Sequence, residues 1–341
     1  MPTQTKQVSR RDSFKWLGLA GTAVALDSAW RMPLAMAEEQ QKAVIERMTG
    51  AGFYPTKIGD LYVTLVNDGL FTFPQPHPLF GSNTTKEAVE MSLYENFVPY
   101  DQVIGHVNTL LIKAGRDVIL IDTGCANAFG PSCGHQLKNL SRAGVEPGDI
   151  THVVLTHLHG DHTGGLIDAD AKLTFPKAKI IMHDAEAAFW GQDVPDLSKS
   201  DIPAEMKTAF AAGAKKILTA AKPKLELIKG DRTDLAPGVT AVLAAGHTPG
   251  HLIFDLESRG EKMTYITDLS HQVSVTFPHP DWLVAFDTDQ KAGAAARQSY
   301  YDRLASGRTR IAGSHLPFPG FGHVRKLGEN GYQYVPEEWR W

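Results

Sequence analysis

The sequence predicts an α/β fold, and two observations carry that prediction. Beyond residue 37, short apolar segments typical of strands alternate with segments whose apolar residues recur at helical spacing. Several strand-like segments end on an aspartate or a histidine, as expected where a sheet presents side chains to a pocket. No internal repeat and no long Gly, Ser or Pro linker interrupts this part of the chain, so we predict a single domain over residues 38–341.

Turn residues bound the predicted strands. The segment LYVTLV at 61–66 alternates as a strand does and stops at an Asn-Asp-Gly sequence, residues 67–69. Residues 106–124 contain two apolar runs joined by a Lys-Ala-Gly-Arg-Asp turn, which predicts a β-hairpin. The remaining predicted strands are 151–157, 179–183, 239–246, 251–258, 262–268 and 308–315.

Helical spacing separates these strands. The predicted helices are 134–144, 184–190, 202–221 and 289–305. The clearest is the alanine-rich segment 202–221, in which Met206, Phe210 and Leu218 recur on one face. Each helix stands between predicted strands, which is the element order of an α/β domain.

Composition and charge exclude some classes of partner. The 341 residues are 43% hydrophobic and 21% charged, which is ordinary for a soluble globular protein. The net charge of −4 comes with no basic stripe, so we expect no nucleic-acid partner. The sequence leaves the oligomeric state open, with a homodimer among the alternatives.

The N-terminus has the three-part order of a twin-arginine export signal. Arg10 and Arg11 precede a short apolar stretch at 16–26, and the sequence AMA at 35–37 offers a small-residue cleavage site. The apolar stretch is too short for a stable transmembrane helix, so we expect no membrane insertion after cleavage. Residues 1–37 are therefore predicted to be a signal peptide, and the mature protein to be periplasmic or secreted.

The sequence THLHGDHTGG at 156–165 concentrates metal-binding side chains. It places His157, His159, Asp161 and His162 within six positions, in a chain with 14 histidines among 341 residues. Imidazole and carboxylate groups are ligands of zinc and similar first-row metals. These are too many donors for one open metal site, so the motif indicates two metals side by side.

Further donors stand at the ends of later predicted strands or directly after them. They are His247 in GHTPGH, Asp268 in ITDLSH and His315 in AGSHLPF. With the first motif they supply three histidines for one metal, an aspartate and two histidines for the other, and a carboxylate for both. Two adjacent divalent ions lower the pKa of a bridging water and polarise a carbonyl or phosphoryl oxygen, so the expected activity is hydrolysis by a bridging hydroxide.

These motifs, in this order, resemble the signature of the metallo-β-lactamase superfamily. The resemblance implies an αββα sandwich with a dinuclear site, zinc being the expected metal. The stretches LIDTG, AFGPS, AAFW, TDLAPG and HLPFPGFGHVR are similar to the methyl parathion hydrolase group and its lactonase relatives. The resemblance also divides the ligands between two ions and a bridge: His157, His159 and His247 for one ion, Asp161, His162 and His315 for the other, and Asp268 between them.

The resemblance implies hydrolysis of organophosphate triesters or lactones. Asp161 and Asp268 are the expected catalytic carboxylates, with Asp161 orienting the hydroxide or handing a proton to the leaving group. Phe129 and Trp190 match aromatic positions that line the leaving-group pocket of the methyl parathion hydrolases, and Phe210 is a third candidate. Core packing is the alternative for each aromatic residue. The predicted substrate is a small apolar ester, lactone or phosphotriester.

Other activities of the same fold stay open. Cleavage of β-lactams, aryl esters or thioesters is one alternative. A chain without the HLPFPGFGH and AFGPS stretches would fit that alternative better than this sequence does. A non-hydrolytic member is another, either a redox enzyme with a flavin domain or a binding protein without metals. The complete ligand set argues against loss of the metals.

Five more residues near the motifs have predicted roles. Asp122 in LIDTG is expected to support a ligand or to cap a turn rather than to bind metal. His251 is expected to be structural, whereas His271 is a candidate for the pocket wall. Cys125 and Cys133 are not needed as metal ligands, and in an oxidising compartment the predicted state is a disulfide between them.

Overall fold

The strands of the chain pair into two sheets that pack face to face. The computed structural model describes residues 52–126 and 128–338, so the predicted export signal at 1–37 lies outside the described residues. The first sheet contains seven strands: β1 (Phe53–Ile58), β2 (Leu61–Pro74), β3 (Gln102–Ala114), β4 (Asp117–Ile121), β5 (His152–Val154), β6 (Lys179–His183) and β7 (Leu225–Ile228). The second sheet also contains seven: β8 (Arg232–Ala236), β9 (Val239–Leu243), β10 (Leu252–Ser258), β11 (Glu261–Tyr265), β12 (Arg310–Ala312), β13 (Phe321–Leu327) and β14 (Gly331–Pro336).

Strand direction decides where the functional loops meet. Neighbours from β1 to β4 are antiparallel, whereas β4, β5, β6 and β7 run parallel to one another. In the second sheet β11 and β12 are parallel, and the other neighbours are antiparallel. Parallel neighbours end at the same edge of a sheet, so the residues that follow β4 and β5, or β11 and β12, lie side by side.

The core between the sheets follows the two-residue period of the strands. Leu110 and Ile112 of β3 pack in one buried cluster with Phe254 and Leu256 of β10. Leu111, between the first two, belongs to a different cluster on the outer face of the first sheet. Each strand therefore presents alternate side chains to the two faces of its sheet.

Helices cover the outer faces of both sheets. Their bounds are α1 (Pro76–Leu79), α2 (Lys86–Glu95), α3 (Gln136–Arg142), α4 (Gly160–Thr163), α5 (Asp184–Trp190), α6 (Ala204–Ala221), α7 (Val273–Thr276) and α8 (Gln290–Ser306). Leu140, Trp190 and Ile217 bring α3, α5 and α6 against the first sheet. Tyr301 and Leu304 bring α8 against the second. The layers are helix, sheet, sheet, helix, and the expected αββα sandwich is confirmed.

The predicted turn at 67–69 is wrong, because β2 continues through it as a β-bulge. Pairing with β3 shifts between Asn67 and Gly69, which leaves Asp68 unpaired in the ladder and buried. Asp68 accepts hydrogen bonds from the amides of Cys125 (2.9 Å) and Gln136 (2.7 Å). Gly69 has a φ of 135°, which suits glycine. The same residues that predict a turn here join β2 to the loop after β4.

Several elements have too weak a pattern to be predicted. β1, α2, β7, β8, β13 and β14 were not expected, and β1 and β7 are each largely half-buried or exposed. The predicted strands at 151–157 and 308–315 are shorter in the structure, with three residues each.

Within residues 52–126 and 128–338, no helix combines the length and apolar character needed to cross a bilayer.

Candidate metal centre

The THLHGDHTGG motif forms the loop that follows β5. His157 and His159 precede the single turn of α4, and Asp161 and His162 lie on that turn. The hydroxyl of Thr163 donates to the carbonyl of His159 at 3.0 Å. The amide of Thr123 donates to the carbonyl of His162 at 2.7 Å, so the loop after β4 supports the end of the motif.

The other predicted ligands approach from the second sheet. His247 follows β9, Asp268 lies on a short 3₁₀ turn after β11, and His315 follows β12. His247, Asp268 and His315 are all buried, as are His157 and His162. The structure brings all seven predicted ligand residues together at one edge of the two sheets.

Three histidines form the first group of donors. Nε2 of His247 lies 3.1 Å from Nε2 of His157 and 3.0 Å from Nδ1 of His159. Burial lowers the pKa of all three histidines well below the usual value. Three neutral imidazoles that direct ring nitrogens at one point are the donor set of a three-histidine metal site.

Asp161, His162 and His315 form the second group. Oδ2 of Asp161 lies 3.5 Å from Nε2 of His162 and 3.4 Å from Nε2 of His315. Burial opposes ionisation of Asp161, but the charges of His162 and His315 hold the pKa of its carboxyl below the usual value. The carboxylate is therefore available as a ligand beside two imidazoles.

Asp268 lies between the two groups. Its Oδ1 is 3.2 Å from Nε2 of His162, and its Oδ2 is 3.1 Å from Nε2 of His315. The same Oδ2 is 3.4 Å from Nε2 of His247 and 3.9 Å from Nε2 of His157. One carboxylate thus reaches donors of both groups, which is the position expected of a bridge.

The donors fit a pair of divalent cations. Nε2 of His162 and Oδ1 of Asp268 are buried and lie 3.2 Å apart, but neither atom forms a hydrogen bond of suitable geometry, although leaving buried polar atoms unsatisfied is costly. Burial lowers the pKa of His162, but Asp268, Asp161 and Asp122 outweigh it and raise the pKa well above the usual value. Three carboxylates around one imidazole make a strongly negative site, which a bound cation would neutralise.

Most ligand histidines are held by their other ring nitrogen. Oδ2 of Asp122 is 2.7 Å from Nδ1 of His162. Oδ1 of Asp287 is 2.8 Å from Nδ1 of His247, and the carbonyl of His106 is 2.6 Å from Nδ1 of His315. Such contacts fix the ring orientation and the tautomer that a metal requires.

Asp122 performs both of the roles predicted for it. Besides holding His162, it accepts hydrogen bonds from the amide (2.8 Å) and the hydroxyl (3.0 Å) of Thr156. Its backbone has a φ of 64°, a left-handed conformation that aspartate tolerates better than most residues. Asp122 therefore supports a ligand and the loop backbone together.

A small apolar cavity opens above the donors. Besides the site residues, its wall is almost entirely apolar: Phe71, Phe73, Phe80, Val103, Phe129, Met206, Phe210 and Phe286. Phe129 is 38% exposed and stacks on Phe71 with ring centroids 4.9 Å apart. The ring of Phe210 lies 4.7 Å from the ring of His159. Two of the three aromatic residues predicted for the pocket therefore line the cavity.

Trp190 does not line the cavity, so its predicted contact with substrate is wrong. Its side chain is fully buried in the cluster between α5 and the first sheet. Its Nε1 donates to Oε1 of Glu186 at 2.8 Å, and its ring centroid lies 6.0 Å from that of His159. Trp190 therefore has the alternative role of core packing, and it packs beside His159 on the side away from the cavity.

His271 is a pocket residue and His251 is a supporting one. His271 lines the cavity, and its Nε2 lies 3.4 Å from Oδ2 of Asp268. Both of its ring nitrogens are buried without a hydrogen-bond partner. Nδ1 of His251 lies 3.0 Å from the carbonyl of Ala244, while Nε2 accepts the amide of Asp268 at 3.2 Å. His251 thus holds the backbone of Asp268, the candidate bridging residue.

Cys125 and Cys133 are both free thiols, so the predicted disulfide is not formed in this structure. The Cys125 thiol donates to Oδ2 of Asp68 at 3.1 Å, and the Cys133 thiol donates to the carbonyl of Leu70 at 3.2 Å. Both are buried in a small cluster with Phe71. Hydrogen bonds to β2, rather than a covalent link, attach this loop.

The fold and the site together define a metal-dependent hydrolase. Residues 103–315 match the family model described as metallo-beta-lactamase superfamily. The chain belongs to that superfamily, and the match contains all seven candidate ligands.

Solved structures of lactonases and hydrolases are similar to this chain. AidC, described as a dizinc quorum-quenching lactonase in complex with the product N-hexanoyl-L-homoserine, is 32% identical with a TM-score of 0.81, over 85% of this chain and 98% of that one. The hydrolase AbOPH is 31% identical with a TM-score of 0.76, over 86% of this chain and 99% of that one.

Curated sequences give shorter matches. An N-acyl homoserine lactonase from Bacillus sp. is 28% identical over 198 residues, which is 58% of this chain and 65% of the relative. The chain spans about half the length of the first curated relatives that it matches.

Proposed function

We propose that this protein is a dinuclear metal-dependent lactonase that acts on neutral lactones with an apolar substituent. The observation that carries the proposal is a seven-residue donor cluster directly beneath an apolar cavity. The similarity to the dizinc lactonase AidC and to a Bacillus lactonase supports the same substrate class.

The residues of the chain have separate tasks in this proposal. His157, His159 and His247 would hold one ion and Asp161, His162 and His315 the other, with Asp268 reaching both. Two divalent ions, expected to be zinc, would supply an activated water and a Lewis acid for the lactone carbonyl.

In this proposal a side chain of the protein, Asp161, transfers the proton. Asp161 is 13% exposed and lies on the cavity wall, where it can accept a proton or return one to the leaving oxygen. Cleavage of a lactone keeps the leaving alcohol attached to the product, so the cavity must accommodate one molecule rather than two.

The cavity wall favours a neutral and apolar substrate. Among the described residues that line it, there is no lysine and no arginine. A carboxylate or a phosphate on the substrate would therefore find no cationic side chain apart from the metal centre and histidines. Aromatic rings and aliphatic chains would instead replace water along the phenylalanine side chains.

Phosphotriester hydrolysis is the second candidate, and the phenylalanine-rich wall favours it. An aryl leaving group stacks well on exposed aromatic rings such as Phe129. β-Lactams and thioesters of charged carriers fit less well, since both carry anionic groups that the described cavity wall does not match.

A substrate panel tests the proposal. We expect the purified protein to contain two metal ions per chain and to hydrolyse N-acyl lactones, with weaker turnover of aryl phosphotriesters and aryl esters. A chromogenic cephalosporin should be hydrolysed slowly or not at all. Chelation should abolish activity and zinc should restore it. A protein that holds two ions but cleaves cephalosporins alone would contradict the substrate class.

We further propose export through the twin-arginine route, on the basis of Arg10, Arg11 and the apolar stretch that follows. Replacing both arginines by lysine should retain an active, uncleaved protein in the cytoplasm. Fractionation with N-terminal sequencing distinguishes the outcomes. An unaltered protein that stays in the cytoplasm at full length would contradict export.

A further inference from the structure

Glu186 is a fully buried carboxylate that contacts both histidine loops of the metal centre. It lies in the first turn of α5, and its side chain is 0% exposed. Its Oε1 accepts hydrogen bonds from the amide of Leu158 (2.9 Å) and from Nε1 of Trp190 (2.8 Å). Its Oε2 accepts the amide of Gly250 at 2.9 Å. Burial raises the pKa of this carboxyl above its usual value, and the hydrogen bonds that it accepts oppose that rise.

The two amides belong to the loops that present the first group of donors. Leu158 stands between His157 and His159, so the hydrogen bond from its amide to Glu186 holds the backbone that carries those two rings. Gly250 lies in the loop that begins with His247. One side chain therefore connects a loop of the first sheet with a loop of the second sheet.

The loop after β9 packs so closely on α5 that only glycine fits at position 250. A Cβ added to Gly250 would lie 2.4 Å from both the backbone nitrogen and the Cβ of Glu186. This close approach is what allows the carboxylate to reach the Gly250 amide. The contact is thus built into the backbone of both elements rather than made by a flexible side chain alone.

The second group of donors has separate supports. Asp122 holds His162 by its Nδ1, and the Thr123 amide holds the His162 carbonyl. The carbonyl of His106 holds His315. None of these contacts involves Glu186, so a disturbance there should reach one group of donors before the other.

We propose that Glu186 is a positioning residue that sets the distance between the His157–His159 pair and His247. Because this distance decides how well the three imidazoles fit one ion, Glu186 would raise the affinity of the three-histidine site for its metal ion. The inference rests on the proposed metal centre, not on the substrate class. Removal of the carboxylate should weaken one of the two ions selectively.

The decisive variant is Glu186→Gln. A glutamine has nearly the same shape but offers one acceptor oxygen, and its amide group faces at least one donor that it cannot satisfy. Either the Leu158 loop or the Gly250 loop therefore loses its anchor. We expect zinc at the three-histidine position to bind about tenfold to a hundredfold more weakly, as for other residues that orient metal ligands.

Metal occupancy gives a readout that does not depend on activity. Anomalous scattering from crystals of the zinc-loaded variants measures each position separately, and competition with a chromogenic chelator measures the two affinities in solution. Asp122→Asn is the reciprocal variant and should weaken the ion held by Asp161, His162 and His315. Glu226→Gln, an exposed carboxylate paired with Lys179, is the matched control and should keep both ions.

The outcomes separate the inference from the function. Selective loss of the three-histidine ion in Glu186→Gln supports the inference. Full occupancy of both positions, or equal loss of both, overturns it while leaving the proposed function intact. A wild-type protein that binds no metal overturns the proposed function itself.

A folding defect is distinguished by a second variant and a second measurement. Glu186→Asp keeps the charge but shortens the side chain by one methylene group, so it should also weaken the three-histidine ion. Thermal unfolding is followed with zinc and with chelator for each variant. If both variants lower the melting temperature equally in zinc and in chelator, Glu186 has only a structural role and the inference is wrong.

Discussion

Oδ2 of Asp122 lies 2.7 Å from Nδ1 of His162, while its Oδ1 accepts the amide of Thr156 at 2.8 Å. One buried carboxylate therefore connects the end of β4 to the start of the metal-binding loop and orients a ligand at the same time. The parallel pairing of β4 and β5 is what makes this possible, since it ends both strands at one edge.

Asp122→Asn should weaken one ion more than the other. Asparagine has a single acceptor oxygen, so either the His162 ring or the Thr156 amide loses its partner. We expect the affinity of the ion at Asp161, His162 and His315 to fall about tenfold to a hundredfold. Equilibrium zinc competition measures the change. Unchanged affinity at both positions would show that His162 needs no carboxylate to be a ligand.

Asp268→Ala should leave about one ion per chain and lose most of the activity. The carboxylate lies between both groups of donors, so its removal places two cations close together with one negative charge fewer between them. We expect kcat to fall by more than about a hundredfold. Metal analysis of the dialysed protein and steady-state kinetics measure both effects. His152→Ala is the control, because His152 lies on β5 outside the centre; two retained ions and near-normal turnover in Asp268→Ala would mean that the bridge is misassigned.

Phe129→Ala should raise KM more than it lowers kcat. Phe129 is a partly exposed residue of the cavity wall that stacks on Phe71. An aromatic contact contributes about 0.5–1.5 kcal/mol, so KM should rise roughly threefold to tenfold for substrates with apolar substituents. Val194→Ala is the control, since Val194 is 84% exposed and lies outside the cavity. If Phe129→Ala leaves KM unchanged for both short and long acyl lactones, as Val194→Ala should, Phe129 is not part of the binding site.

The two cysteines should resist alkylation in the native protein. Burial and the neighbouring Asp68 carboxylate raise the pKa of the Cys125 thiol, and burial also raises the pKa of the Cys133 thiol. Thiolate is the reactive form, so both groups should be slow with iodoacetamide until the protein is unfolded. Mass spectrometry should then show two labelled cysteines. A mass two hydrogens lower, with no labelling after unfolding, would instead establish the disulfide predicted from the sequence.

Asp255 should stabilise the fold only above acidic pH. Burial opposes its ionisation, but the hydroxyl of Thr264 and the charge of Arg303 outweigh burial and lower the pKa of Asp255 below the usual value of 3.8. A carboxyl whose pKa is lower in the folded state contributes stability above the unfolded pKa and loses it as the pH falls. Asp255→Asn should therefore reduce the free energy of unfolding by up to about 1 kcal/mol near neutral pH, with a smaller effect at low pH. Asp170→Asn, an exposed carboxyl, is the control, and an Asp255 effect that grows on acidification would have the wrong sign.

The sequence by itself determined the fold class, the order of most elements and the candidate ligand set. His157, His159, Asp161 and His162 lie so close in the chain that their chemistry is visible without a structure. His247, Asp268 and His315 were recognisable because each is a polar residue at the end of an apolar strand. Parallel pairing of β11 and β12 brings Asp268 and His315 to the same sheet edge. The pattern of strands and helices predicted only an α/β domain, and the αββα layering was implied by the resemblance to the metallo-β-lactamase superfamily.

Only the tertiary structure decided which other side chains serve the centre. Glu186 is separated from Leu158 by 28 positions and from Gly250 by 64, and contacts at such separations leave no local period in a sequence. Trp190 and Phe129 are both aromatic residues near a motif, yet one packs behind the centre and the other lines the cavity. That distinction depends on which face of an element meets the core, and the packing of distant elements sets it.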